Sequence, residues 1–330
     1  MRGKEGYQMT AEQTPAGAAW RMMTPRDVFR LPQPAPRHTV VYGPGAEQLG
    51  DLYLPEKHEE SGARTPEPFP LVVVLHGGCW MAAADRKHVS LLCAHLAERG
   101  MAVWNVEYRR VRNPEGGWPW TFEDVALAWQ SRHLLRDFGV DVARCVLLGH
   151  SAGGQLALWL ACGGPSRLGG PARVPARVPA SVPASVPESR PASPSPLPAQ
   201  VPDGDAGPEP LAVLALAPIT DLARSLRSGG CQAVVPGLLN VDGTGLEARL
   251  QQTSPLHMGA PRWPVVLLSS GLDKVVPLEQ AEVFVAQGYP GVTHHHLPDT
   301  GHFELVTPGA PGFETVLASL QSLLSLPPNL

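Results

Sequence analysis

A serine flanked by glycines joins an apolar run to a helix-like segment, and this junction constrains the fold more than any other part of the sequence. Residues 149–154 read Gly-His-Ser-Ala-Gly-Gly, after the apolar run 145–148 and before the helix-like run 155–162. Such glycines let the backbones of a strand and a helix pass closely, with the serine in a strained turn between them. We therefore predict Ser151 as a nucleophile, although glycine and serine also cluster in ordinary turns.

A second apolar run, residues 71–75, ends in a glycine pair. It is followed by His76, Gly77 and Gly78. Glycines leave main-chain N–H groups uncovered, and a site that stabilises an oxyanion can be built from such groups. We expect the main-chain N–H groups of Gly77, Gly78 and Ala152 to bind the oxyanion together. The alternative is a plain glycine loop that closes a strand.

An acidic side chain and a histidine follow the last two strand-like runs of the chain. Asp273 comes just after residues 265–270, and His302 comes after residues 292–297. The carboxyl ends of parallel strands share one edge of a sheet, so both side chains can meet Ser151 there. Serine needs such a base because a free hydroxyl is a poor nucleophile at neutral pH. Asp221, which also ends a strand-like run, is an alternative acid, and Asp299 is a weaker one.

Strand-like and helix-like segments alternate along most of the chain. This alternation predicts βαβ units and an α/β fold with a mainly parallel central sheet and helices on both faces. Two strands around residues 43–45 look like a hairpin, and Thr121 with Asp124 resembles a capping box that opens a helix running to about residue 137. The predicted strands are residues 39–42, 48–54, 71–75, 101–106, 144–148, 211–217, 265–270 and 292–297.

One large domain fits the length of 330 residues better than two. We expect residues 1–37 to form a loosely ordered N-terminal arm and residues 38–330 to form the domain. A Pro/Ala-rich insertion interrupts it at about residues 163–210, where proline recurs at every fourth position from 171 to 191. Proline at this density excludes a helix or an inner strand. The insertion is either a lid or partner-binding segment, or a tolerated surface expansion, which we favour because long loops cost little closure entropy.

Composition excludes several classes of function. The formal net charge of −4 carries no electrostatic signature of a nucleic-acid-binding protein or of one that binds an anionic membrane. No run approaches the roughly 20 apolar residues of a membrane span, and the first residues lack the apolar core of a signal peptide. We therefore expect a cytoplasmic protein without a nucleic-acid or membrane partner.

Cysteine and histidine side chains predict neither a disulfide framework nor a metal site. An odd number of scattered cysteines indicates reduced core thiols, and Cys79 is the one beside the expected oxyanion site. Neighbouring residues of a strand point to opposite faces, so His294, His295 and His296 cannot all close on one ion. The five cysteines are Cys79, Cys93, Cys145, Cys162 and Cys231.

Four motifs in this order resemble those of the α/β-hydrolase superfamily. They are His-Gly-Gly-Cys-Trp at 76–80, Gly-His-Ser-Ala-Gly-Gly at 149–154, Gly-Leu-Asp at 271–273 with Val-Pro at 276–277, and Gly-His-Phe at 301–303. Within that superfamily they are similar to the HGG-type esterase branch, which takes in feruloyl-esterase-like and kynurenine-formamidase-like enzymes. The resemblance covers most of the chain from about residue 38.

The resemblance implies a serine hydrolase that cleaves carboxylic esters through Ser151, His302 and Asp273, without a cofactor. Its substrate would be a small ester or amide, and Cys79, Trp80 and Trp118 are candidates for the pocket, although buried aromatic residues are commonly only core. One alternative is a formamidase acting on N-formylkynurenine. The other is a binding protein that keeps the fold without catalysis. A homodimer is compatible with the sequence.

Overall fold

The computed structural model describes residues 21–56, 67–168, 208–241 and 245–325. Residues 1–20 of the expected N-terminal arm and residues 169–207 of the expected insertion lie outside these ranges. The division into an arm, a single domain and an insertion therefore stays a prediction.

The described residues form an eight-stranded sheet with the strand order β1-β2-β4-β3-β5-β6-β7-β8. β1 and β2 form an antiparallel hairpin, and β2 also pairs antiparallel with β4. Every other neighbouring pair is parallel, which confirms the predicted mainly parallel sheet. The strands are β1 His38–Val41, β2 Leu49–Tyr53, β3 Phe69–Leu75, β4 Ala102–Val106, β5 Val140–His150, β6 Ala212–Leu216, β7 Val265–Ser270 and β8 Val292–Leu297.

Helices cover both faces of the sheet. They are α1 Pro25–Val28, α2 Ser90–Ala97, α3 Trp120–Ser131, α4 Ala152–Ala161, α5 Leu222–Ser225, α6 Val235–Leu239, α7 Leu246–Thr253, α8 Pro255–Met258, α9 Glu279–Val285 and α10 Phe313–Ser325. Val73 of β3 belongs to a hydrophobic cluster that includes Leu156 of α4. The next residue of the strand, Val72, belongs to a second cluster with Leu92 of α2. Strands buried on both faces need continuous apolar runs, which explains why β3 and β6 do not alternate with polar residues.

The start of α3 differs from the prediction. Thr121 does not cap the helix, which begins one residue earlier at Trp120 and gives way to a 3₁₀ segment after Ser131. The Thr121 hydroxyl instead donates to the carbonyl of Arg109. The Asp124 carboxylate accepts the N–H and the guanidinium of Arg109. The predicted capping box is therefore wrong, because a tertiary ion pair takes the carboxylate that the pattern assigned to the helix end.

Candidate active site

Ser151 lies in a strained turn between β5 and α4. Its φ of 54° and ψ of −118° are unfavourable for a residue with a side chain, and such strain is held in place only by surrounding structure. Here the Ser151 N–H donates to the carbonyl of Leu216 at the end of β6, at 2.8 Å. A Cβ at Gly149 would lie 2.3 Å from the Gly153 carbonyl oxygen, and one at Gly153 would lie 2.0 Å from that of Leu75. The glycines around the serine are thus required by backbone contact.

Asp273 and His302 form a buried pair at the carboxyl ends of β7 and β8. The Nδ1 of His302 lies 2.6 Å from Oδ2 of Asp273, and their side chains are 4% and 1% exposed. The other carboxylate oxygen accepts the N–H groups of Val275 and Val276. A carboxylate oxygen accepts the hydrogen bond, so Nδ1 of His302 donates, and in this tautomer of the neutral ring Nε2 is the nitrogen that can accept a proton.

The two alternative acids lie elsewhere. Asp221 precedes α5 and caps it, because its carboxylate accepts the Arg224 N–H at 3.1 Å. Asp299 is exposed on the turn after β8. The structure therefore brings Asp273 to His302, whereas Asp221 caps the start of α5.

His150, which precedes Ser151 in the chain, contacts the loop that carries His302. Its Nε2 lies 3.0 Å from the His302 carbonyl oxygen, and the two rings are 4.6 Å apart. Burial, followed by the His302 ring, lowers the pKa of His150 well below its usual value, so this side chain is neutral. Since a carbonyl can only accept, Nε2 of His150 carries the proton. Sequence reasoning did not single out this residue, although it lies inside the serine motif.

Gly77 packs directly against the serine turn. A Cβ at Gly77 would lie 3.2 Å from Cβ of Ser151, so a side chain there would crowd the space in front of the serine. Gly78 follows with a φ of 104°, a conformation that favours glycine. Ala152 begins α4, where the first N–H groups of a helix have no intrahelical acceptor. The structure thus brings the glycine pair and the start of α4 to Ser151.

A buried charge cluster anchors the residue before the glycine pair. His76 is fully buried, its Nε2 lies 2.9 Å from Oε1 of Glu107, and its ring stacks on Tyr108 at 4.5 Å. Burial alone would raise the pKa of Glu107, but His76 and Arg110 lower it to about 2, so the carboxylate stays ionised. In the sequence, the only sign of this role is that Glu107 comes directly after β4.

A disulfide joins Cys79 to Cys231, with Cα atoms 5.2 Å apart. The prediction that every cysteine is reduced is therefore wrong for this pair. The free thiols of Cys93, Cys145 and Cys162 are buried, as predicted. The bond spans a sequence separation of 152 residues, so spacing could not indicate it. It ties the loop after Gly78 to the segment between α5 and α6.

The expected pocket aromatics are mostly enclosed. Trp80 is fully buried, and its indole N–H donates to Gln155 Oε1 at 3.1 Å. Trp118 is 8% exposed, with the Arg249 guanidinium 4.7 Å above its ring. These contacts support a structural role for Trp80. The assignment of Cys79, Trp80 and Trp118 to a substrate pocket stays a prediction.

The cavities do not coincide well with the site. A space of about 10 Å³ adjoins Asp273 and is walled by Pro218 and Val276, which leaves room for about one water molecule and not for a substrate. A cavity of about 390 Å³ lies between the β1–β2 loop and α3, where Gln48 and Arg109 line it. None of the predicted site residues lines this larger cavity, so we assign it no part in the chemistry.

Two kinds of feature are absent from the described part of the chain. Within it, no group of three or more His, Cys, Asp or Glu side chains is arranged to hold a metal ion. No helix among these residues is long and apolar enough to cross a membrane.

Comparisons with known proteins include a family model that covers the serine turn. The family model BD-FAE matches residues 51–173, which hold the glycine pair and the serine turn. The chain is 34% identical to the probable carboxylic ester hydrolase LipM of Mycobacterium tuberculosis over 90 residues, which cover 27% of this chain and 20% of LipM. It is 35% identical to the gibberellin receptor GID1 of Oryza sativa subsp. japonica over 101 residues, 29% of this chain and 28% of the receptor. The chain thus matches less than a third of the length of either relative.

A solved structure extends the likeness to nearly the whole chain. Esterase B from Lactobacillus rhamnosis (HN001) superposes with a TM-score of 0.64 at 21% identity, and the match covers 89% of this chain and 88% of that chain. At this level of identity the comparison concerns the fold alone.

Proposed function

We propose that this chain, which has the α/β-hydrolase fold, is a serine hydrolase that cleaves carboxylic esters. The observation that carries the proposal is the buried hydrogen bond between His302 and Asp273, held against the strained Ser151 turn through His150. A base with a free Nε2, oriented by a carboxylate beside a serine in such a turn, is the arrangement that acyl transfer requires.

In the proposed mechanism, Nε2 of His302 takes the proton of the Ser151 hydroxyl as its oxygen attacks the carbonyl carbon. Asp273 keeps the ring oriented and stabilises the imidazolium that forms. Main-chain N–H groups of Gly77, Gly78 and Ala152 bind the oxyanion of the tetrahedral intermediate. His302 then protonates the leaving alcohol, and the same base activates the water that hydrolyses the acyl-enzyme. The reaction as proposed needs no metal ion or organic cofactor.

The related proteins support an ester as the substrate class. LipM carries the name of a carboxylic ester hydrolase and esterase B that of an esterase. The gibberellin receptor is named for binding rather than for catalysis, so a silent binding protein remains the alternative of a different class. The ester itself is not specified by these names.

Hydrolysis of short p-nitrophenyl esters by the wild type and by Ser151→Ala tests the proposal, with N-formylkynurenine assayed in parallel. We expect serine-dependent turnover of the esters. A preference for the formamide of a hundredfold or more, about 2.7 kcal/mol of transition-state binding, would instead identify a formamidase. If Ser151→Ala left the turnover of both substrates unchanged, or if neither were cleaved, the esterase proposal would be wrong.

We also propose a cytoplasmic location, and the Cys79–Cys231 disulfide provides its test. Disulfides seldom persist in reducing compartments. If the location is cytoplasmic, rapid alkylation in intact cells should trap both cysteines as thiols, and the disulfide then belongs to the oxidised form of the chain outside the cell. If the two are found oxidised in cells, the location is an oxidising compartment.

We also propose that the chain forms a homodimer, which light scattering of the purified chain tests.

A further inference from the structure

Two of the three consecutive histidines of β8 converge on one side chain of β7. In the register of the two strands, Ser269 pairs with His296 and Leu267 with His294. Ser269 Oγ lies 2.7 Å from Nε2 of His294 and 3.2 Å from Nδ1 of His296. Both imidazoles therefore lie on the same face of the sheet, above one hydroxyl group.

His295 does not belong to this pair. Side chains alternate along a strand, so His295 points to the opposite face, and it is exposed. His295 therefore cannot join the other two rings on one ion. His294 and His296, at positions i and i+2, can share one, because their ring nitrogens face the same hydroxyl group.

We propose that His294 and His296 together chelate a divalent transition-metal ion such as Zn²⁺, Ni²⁺ or Cu²⁺. Imidazole nitrogen suits these ions, whereas Mg²⁺ and Ca²⁺ prefer oxygen ligands. No third His, Cys, Asp or Glu among the described residues completes a ligand set. Solvent therefore fills the remaining positions of the bound ion.

Solvent can reach the pair. His294 is half-buried and His296 is exposed, so an ion can reach both rings from solvent. One acidic side chain, Glu282 on α9, lies within electrostatic range of His294. Ser269 itself is buried, and its hydroxyl can turn to accept or donate as the rings move onto an ion.

The site lies near the carboxyl ends of the strands that precede the proposed acid and base. The chain leaves β7 after Ser270 and reaches Asp273, and it leaves β8 after Leu297 and reaches His302. The proposed chelation does not depend on the proposed hydrolysis. An ion that binds only the folded chain stabilises it by mass action.

Isothermal titration with NiCl₂ and ZnCl₂ tests the site, using the full chain without a polyhistidine tag. We expect one saturable ion per chain and no binding of MgCl₂ at the same concentration. His294→Ala and His296→Ala should each weaken binding at least about tenfold, since even lost outer contacts of metal ligands cost this much. His295→Ala is the matched control on the same strand and should bind as the wild type does.

A thermal-shift assay gives a second readout that does not depend on the heat of binding. The ion should raise the Tm of the wild type and of His295→Ala, and it should leave the Tm of the His294→Ala/His296→Ala double variant unchanged. Circular dichroism of each variant without metal verifies that it folds. The proposal is overturned if the wild type binds no ion saturably, or if His295→Ala loses as much affinity as the other two variants.

Discussion

Asp273 and Asp221 both follow strands at the same edge of the sheet, yet they have different partners. Asp273 contacts the His302 ring, and Asp221 caps a short helix. An aspartate that holds a catalytic histidine controls both its tautomer and its charge, so its loss is far more damaging than the loss of a helix cap.

Asp273→Ala should lower kcat by about 10³- to 10⁴-fold, because His302 then loses the group that orients it. Asp221→Ala should leave kcat within a few-fold and cost about 1 kcal/mol of stability through the lost cap. Steady-state kinetics on a p-nitrophenyl ester and urea unfolding of both variants measure this difference. An equal loss of kcat at the two positions would refute the assignment of Asp273.

His150 is proposed as a positioning residue, because it touches the backbone of His302 and not the reacting atoms. His150→Phe removes the donor to the His302 carbonyl, and a misplaced base should lower kcat by up to about 100-fold. His150→Gln can place an amide N–H near the same point and should recover part of this loss. This positioning role is checked by measuring kcat, KM and the Tm of each variant. If the two variants lose kcat in proportion to their Tm alone, the role is only structural.

At the level of elements, the loop between β3 and α2, which passes the serine, has a strained backbone. Gly78, Cys79 and Trp80 all have positive φ, although two of them carry side chains. L residues in this region cost about 1 to 2 kcal/mol each. The loop is held by the buried His76–Glu107 pair on one side and by the disulfide on the other.

Loss of the disulfide should loosen this loop and destabilise the chain. The double variant Cys79→Ala/Cys231→Ala should lose about 2 to 4 kcal/mol of unfolding free energy. Its kcat should fall with little change in KM, because N–H groups that bind the oxyanion act mainly in the transition state. Urea unfolding with and without TCEP provides the control, since the reductant should shift the wild type and not the variant. An unchanged wild-type midpoint in TCEP would contradict this role.

At the level of the whole molecule, buried neutral histidines tie stability to pH. Burial and the neighbouring His76 ring lower the pKa of His88 from 6.5 to about 4. Below pH 6.5 the unfolded chain therefore binds a proton that the folded chain excludes, so stability falls as the pH falls. Glu107, with its pKa lowered to about 2, loses its stabilising effect only below pH 4.5.

The unfolding free energy should thus decrease between pH 6.5 and about 4.5, and His88 alone contributes a slope of up to about 1.4 kcal/mol per pH unit. Urea unfolding at several pH values measures the slope. His88→Gln should make the slope shallower by up to this amount and leave the part due to His150, whereas His295→Gln, a change at an exposed position, should not alter it. A slope that His88→Gln leaves unchanged would show that other groups are responsible.

The sequence by itself was enough to predict the fold and the order of the site residues. Long apolar runs separated by helix-like segments allow few arrangements other than a parallel sheet with helices on both faces. The glycines around Ser151 are needed because neighbouring backbone atoms leave no room for a Cβ. The strand–turn–helix could therefore be predicted from a few adjacent residues. The positions of Asp273 and His302 after strands followed from the same pattern.

Only the tertiary structure decided which distant side chains meet. In the folded chain, Asp273 rather than Asp221 contacts His302, and Cys79 is bonded to Cys231. His150 lies against the His302 carbonyl. Asp124 contacts Arg109 instead of capping a helix. Each of these contacts depends on how loops from different strands approach one another. Periodicity and spacing describe the chain over a few residues at a time, so they carry no information about such long-range pairings.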